Sequence, residues 1–146
     1  MTKKITRGVR NNNPLNIRIG NSWQGEVERP TDKQFEQFKE MRWGIRAAFK
    51  LIHRYVERYN LNSVRKIIYR WAPPNENNTN AYILFVCRET GLKPDMTIRW
   101  SDKKYIMAIV AAMAKIESQY TISDKELEQG YIDAGNDRVS TAPQNV

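Results

Sequence analysis

From Trp43 onward the chain commits itself to a helix. Ile45, Ala48, Phe49, Ile52, Val56 and Tyr59 recur at intervals of three and four, with no Pro or Gly between Gly44 and Tyr59. That spacing lines one side of a helix with apolar groups, and such a stripe has to be covered by other elements. Arg46, Lys50, Arg54 and Arg58 fall on the other side at four-residue spacing. Like charges so placed mildly oppose the helix, and they are expected to form a solvated or anion-facing surface.

The rest of the chain reads mostly in the same language. Asn62–Trp71 is a short helix with Asn62 or Ser63 as its N-cap, stopped by Pro73 and Pro74. Asn78 or Thr79 opens the next helix, whose run Ala81–Cys87 is apolar on nearly all sides and predicts burial. Ser101 or Asp102 opens a long helix to Glu117, and Ser123–Glu126 is an S-x-x-E capping box for a helix ending near Gly135. Before Trp43 the pattern differs. Ile17, Ile19, Trp23 and Val27 sit at odd positions around Gly20-Asn21, which predicts a small β-hairpin. Residues 29–38 alternate Phe35 and Phe38 with polar groups and fit neither template cleanly. The fold class expected is mostly α (α+β): one helical domain over 1–137 with an N-terminal β-hairpin, and a flexible tail over 138–146.

Composition narrows the partners. With 146 residues, 40% hydrophobic and 27% charged, the chain is of globular type and long enough for one core. Its net charge of +8 favours anionic partners such as nucleic acid, acidic lipid or cell wall. No nucleic-acid motif is recognisable and the basic residues are spread along the chain, so nucleic acid is not the expected partner. One Cys (Cys87) and one His (His53) make a Cys/His zinc site unexpected, and no cofactor or metal is anticipated. The N-terminal residues are basic without an apolar core, and no stretch approaches a membrane span; synthesis in the cytosol and a monomeric state are expected.

One acid stands out. Ile106, Ile109, Val110, Met113 and Ile116 make a stripe, and Glu117, four residues past Met113, continues it at the C-terminal end of the helix. Partial burial and the negative end of the helix dipole both disfavour a charged carboxylate. A glutamate so placed suits a general acid near neutral pH; it equally suits a helix end facing solvent. Glu26, Glu28, Asp32 and Glu76 are the other acids in or beside turn-rich segments. "RNNNPLNIR", 10–18, is rich in Asn that can close Asx turns or bind amide and hydroxyl groups.

"RGVRNNNPLNIR" at 7–18, Trp23-x-Gly25, Phe35-x-x-Phe38, "WGIRAA" at 43–48 and "RWAPPNENNTNAYI" at 70–83 resemble a family of small phage and prophage proteins. These are often labelled structural or virion proteins and are related to lysozyme-like peptidoglycan hydrolases. The resemblance covers roughly residues 7–135. "AKIES" at 114–118 and "TNAYI" at 79–83 also look like two segments of lysozyme-like lytic transglycosylases, the first ending in their catalytic Glu, the second carrying a neighbouring Tyr. Here they stand in another order, as in a circular permutation. Many relatives carry Gly soon after the Glu, whereas this chain has Gln119, which must make that turn at a cost, or else the helix continues a little.

The resemblance implies an enzyme that cuts the glycan strand of bacterial peptidoglycan between N-acetylmuramic acid and N-acetylglucosamine, with Glu117 as general acid. Asp32 and Glu26 are the candidates for a second carboxylate, which would make it a hydrolytic muramidase. Glu117 alone would make it a lytic transglycosylase. Asn13, Asn16, Arg18, Trp23 and Tyr82 are the expected substrate-binding residues; Trp23 would stack on a sugar or anchor the hairpin. The basic surface would hold the enzyme to an anionic envelope. It would wait in the host cytoplasm for a holin, or travel in the virion. A non-enzymatic virion protein that binds the wall is the alternative.

Overall fold

The computed structural model describes residues 4–136; the tail expected at 138–146 lies outside them. Among the described residues there are six α-helices: α1 (Arg7–Arg10), α2 (Met41–His53), α3 (Val64–Trp71), α4 (Thr79–Thr90), α5 (Lys103–Ser118) and α6 (Asp124–Asn136). The mostly helical expectation holds. The chain divides into two compact units, one from residues 4–50 and 114–136, the other from Leu51–Met113.

The second unit follows the apolar periodicity. Val64, Ile67 and Ile68 of α3 and Ile83 and Val86 of α4 are buried where these helices pack together. Ser63 caps α3 by accepting from the Lys66 N–H, and Asn78 caps α4 by accepting from the Ala81 N–H. Gly91, at φ +77°, closes α4 in the left-handed conformation that glycine adopts most cheaply. Two expectations need correcting. α4 is not buried all round, since Leu84 is 59% exposed. The helix from Trp43 does not run on regularly to Tyr59 either. Over Arg54–Arg58 it widens into a π-helical turn, and Asn60 at φ +56° ends it. The 3.6-residue pattern carries no mark of that one-residue slip.

In the first unit the expected hairpin does not form, and no strand is present among the described residues. Ile17–Ile19 and Gly25–Val27 do not pair with each other. Each bonds to a different half of the segment Gln34–Lys39, through the antiparallel bridges Arg18–Phe35 and Glu26–Phe38. The bonds are Ile19 N–H to Gln34 O, Glu36 N–H to Ile17 O, Val27 N–H to Gln37 O and Lys39 N–H to Gly25 O, all 2.8–3.0 Å. The reason is local. The Glu26 side chain accepts from the Trp23 N–H (2.9 Å), and Gly25 stands at φ +83°, so the chain curls where a two-residue turn was expected. Each pairing is then too short to count as a strand.

Polar side chains and close backbone contacts hold this unit together. Asn13, with no exposed surface, donates to the carbonyls of Ile17 (3.0 Å) and Glu36 (2.9 Å) and accepts from the Ile17 N–H (2.9 Å). Asn12, at φ +53°, donates to the Phe38 carbonyl, and its own carbonyl lies where a Cβ on Gly44 would be. Gly8 leaves room for Ser118 in the same way. Thr6 donates to the Ser118 carbonyl (2.7 Å), and Ser118 donates to the Pro14 carbonyl (2.8 Å). α6 packs Gly130 against Ile45 and Phe49 of α2. The solvated face expected from Arg46 to Arg58 fails in its first half and holds at its end: Arg46 is 7% and Lys50 9% exposed, Arg54 is half-buried and Arg58 exposed. Burial pulls the Arg46 guanidinium below its usual pKa, and Asp133 of α6 opposes that.

Candidate active site

Glu117 lies in the last turn of α5, half-buried. Its neighbour is Asn16, about a hundred residues earlier. Asn16 Nδ2 donates to the Glu117 carbonyl (3.0 Å) and reaches its Oε1 at 3.4 Å. Asn16 stands at φ +52°, a conformation Asn tolerates better than most residues, and this turns its side chain toward α5. Its Oδ1 is buried without a hydrogen-bond partner. An orphaned amide oxygen beside a carboxyl group is an acceptor waiting for a donor. Directly after Glu117 and Ser118, Gln119 takes φ +53°, so of the two outcomes expected there the chain turns and the helix does not run on. Its N–H still reaches the Lys115 carbonyl at 3.1 Å.

Seven of the eight residues singled out by sequence fall in this first unit; Tyr82 belongs to the second, where it is 7% exposed. Arg18 is exposed, with its guanidinium 5.3 Å from the Phe35 ring centroid. Trp23 is 8% exposed and Asn13 fully buried, so both sit within the packing of the unit. Asp32 is clamped. Arg7 donates to both its oxygens at 2.7 Å, Asn11 at 2.9 Å, and the N–H groups of Gln34 and Phe35 at 2.9 and 3.0 Å. These bonds, with Arg7 foremost, hold its carboxyl far below the usual carboxylate range. Glu26 is half-buried and accepts from the Trp23 N–H.

The structure adds an acid that the sequence reading passed over. Glu36, in the segment that fitted neither template, is 6% exposed. Burial first, and then the facing Glu26 carboxylate, push its pKa up to about 7; backbone N–H groups of Gly20 and Asn21 act the other way. A signal was available. In a strand-like segment Glu36 shares a face with Phe38, and an acid on an apolar face is the same anomaly that marked Glu117.

A separate groove of about 280 Å³ runs between α2 and α6, floored by Ile45 and Gly130 and edged by Arg42, Lys125 and Asp133. Among the described residues no three His, Cys, Asp or Glu side chains gather as a metal site, and no helix is long and apolar enough to cross a membrane.

No protein-family model matches the chain. The chain belongs to the family of Protein P5 of Pseudoalteromonas phage PM2: the two are 40% identical over 135 residues, 88% of this chain and 81% of that protein.

Proposed function

We propose that this phage-family protein cleaves the glycan strand of bacterial peptidoglycan as a lysozyme-type muramidase, with Glu117 as the general acid. The observation that carries the reading is the half-buried Glu117 carboxyl at the end of α5, held by Asn16. In a lysozyme-like fold the helix bearing the acid is followed by a β element. Here the bridged segments from Ile17 to Lys39 reach the end of α5 in space through Asn16, which is what a permuted chain order requires. The +8 charge suits an anionic envelope.

In the proposed reaction, protonated Glu117 gives its proton to the glycosidic oxygen as the bond to the N-acetylmuramic residue breaks. The positive charge growing on the sugar needs a carboxylate or an activated water. Asp32 is fully engaged with Arg7, so Glu26 takes that role. Asn16 and Arg18 are the groups left to face substrate. Were Glu117 to act alone, the muramic 6-hydroxyl would close on the same carbon, and the products would carry anhydro ends.

The test is clearing of outer-membrane-permeabilised Gram-negative cells by wild type and Glu117→Gln, both checked for folding by circular dichroism. The variant is expected to be about 10²- to 10⁴-fold slower, the usual contribution of a positioned acid. Mass spectra of the released fragments separate reducing from anhydro ends. Equal clearing by both proteins would remove Glu117 from the reaction. No clearing by either would favour a wall-binding virion protein without activity.

A further inference from the structure

Glu36 has no part in the chemistry just proposed, yet it is the most deeply placed acid of the bridged segments. Its side chain points to the same side as that of Phe38, which is 2% exposed. Its Oε2 is buried without a hydrogen-bond partner. A buried carboxylate oxygen left bare is costly, on the order of several kcal/mol for a charged group. A proton on that oxygen removes the charge and turns an orphaned acceptor into a donor. The acceptor it needs is at hand: Glu26 is bridged directly to Phe38, so its side chain lies on the side of the ladder that Phe38 and Glu36 share, and its carboxyl acts on that of Glu36.

We infer that Glu36 and Glu26 hold one proton between them, so that Glu36 acts as a positioning residue for the Glu26 carboxylate and for the loop 20–25. The bond is an O–H of Glu36 donating to an oxygen of Glu26. The loop closes the arrangement from its own side: the N–H groups of Gly20 and Asn21 approach Glu36, and the Trp23 N–H donates to Glu26. Other charges lie elsewhere. From the Ile17–Ile19 segment, Arg18 stacks over Phe35, on the opposite side of the ladder, and Arg7 lies over the same ring at 4.5 Å. From Gly25–Val27 the only titratable group is Glu26 itself. On Glu36's own segment, Lys39 is exposed.

Burial together with the Glu26 charge holds Glu36 protonated to about pH 7. Below that pH the pair is closed. Above it two carboxylates face each other, and the Glu26 side of the loop loses its tie. The relevance of Glu26 to catalysis rests on the proposed muramidase reading; the shared proton does not.

The experiment is a ¹³C carboxyl titration of the glutamates by NMR, from about pH 4 to 9, on wild type, Glu26→Gln and Glu36→Gln. In wild type the Glu36 signal is expected to titrate near neutrality, with the Trp23 amide, bonded to Glu26, shifting over the same range. In Glu26→Gln, loss of the facing charge and gain of an amide donor should move the Glu36 step down by about a pH unit or more. Glu36→Gln mimics the protonated acid, should fold, and should keep the Trp23 amide resonance constant through neutral pH. Two independent steps in the ordinary carboxylate range would overturn the proposal, and so would a Glu36 step that Glu26→Gln leaves unmoved. Failure of Glu36→Gln to fold would leave the wild-type and Glu26→Gln comparison to decide. Absence of wall cleavage sinks the muramidase reading while leaving this titration to stand or fall by itself.

Discussion

The two units of this chain are built by different means. In residues 51–113 helices are specified by apolar periodicity and ordinary caps, and the interior is filled by Ile, Val and Trp side chains. In residues 4–50 with 114–136, conformation is set by asparagines, left-handed turns and glycines that admit a neighbour's backbone. Asn12, Asn16 and Gln119 have positive φ, and Asn13 spends its whole side chain on three backbone groups. Apolar packing tolerates small adjustments, because side chains can shift by fractions of an ångström. A backbone held by directional bonds cannot adjust in that way. The candidate catalytic groups sit in the unit rich in such bonds, where a carboxyl group can be held in place.

This contrast can be broken at its strongest point. Gly44→Ala puts a Cβ onto the Asn12 carbonyl, with no flexible side chain to give way. We expect a loss of at least about 4 kcal/mol, the range reserved for backbone clashes and buried defects, read as the shift in urea midpoint. Near-wild-type stability would mean that the Asn12 turn is soft. Asn13→Ala comes next. It leaves the Ile17 N–H and the Glu36 carbonyl without the Asn13 side chain that serves them, removes one of the two donors to the Ile17 carbonyl, and should cost about 3 kcal/mol in the same assay. In the other unit, Ile67→Val should cost only about 1 kcal/mol, since Ile67 is wholly buried but surrounded by side chains that can close in. If Ile67→Val proved costlier than Asn13→Ala, the two units would not differ as described.

Acid and base sharpen the comparison within the first unit. The folded-state pKa of Asp32 lies below the unfolded value of 3.8. Its stabilising contribution is therefore complete above that value and declines as the pH drops through the acid range. Glu36 runs the other way. Its folded value of about 7 exceeds the ordinary 4.5, so stability should decline as pH rises from about 4.5 and level off above 7. Glu36→Gln should abolish that decline in thermal melts, while Asp32→Asn should leave it in place.

What the sequence disclosed divides by range along the chain, in both units. The stripe from Ile45 to Val56, the caps at Ser63 and Asn78, and the Ser123–Glu126 box were legible because each is a local rule. In the box, the Ser123 N–H donates to Glu126 (3.0 Å) and the Glu126 N–H to Ser123 Oγ (3.1 Å). The turn at Gln119 was legible only through the resemblance, whose members carry Gly close to that position. The partner of Asn16 was not, since a contact across 101 positions leaves no periodic trace. Nor was the burial of Arg46 and Lys50, which packing against the rest of the chain decides. Glu36 escaped because a segment with two different partners, one for each half, never repeats long enough to look like a strand.

The stitch at Ser118 also imposes a schedule. Its bonds to Thr6 and Pro14 span 112 and 104 positions. At translation rates of about 5–20 residues per second, the early segment waits roughly 5–20 s for the residue that fastens it. During that interval Leu15 and Ile17 have no finished core to enter, whereas the apolar groups of residues 51–113 find their partners within their own stretch. The newborn chain thus matures from its middle outward, and its first-made end is among the last parts to settle.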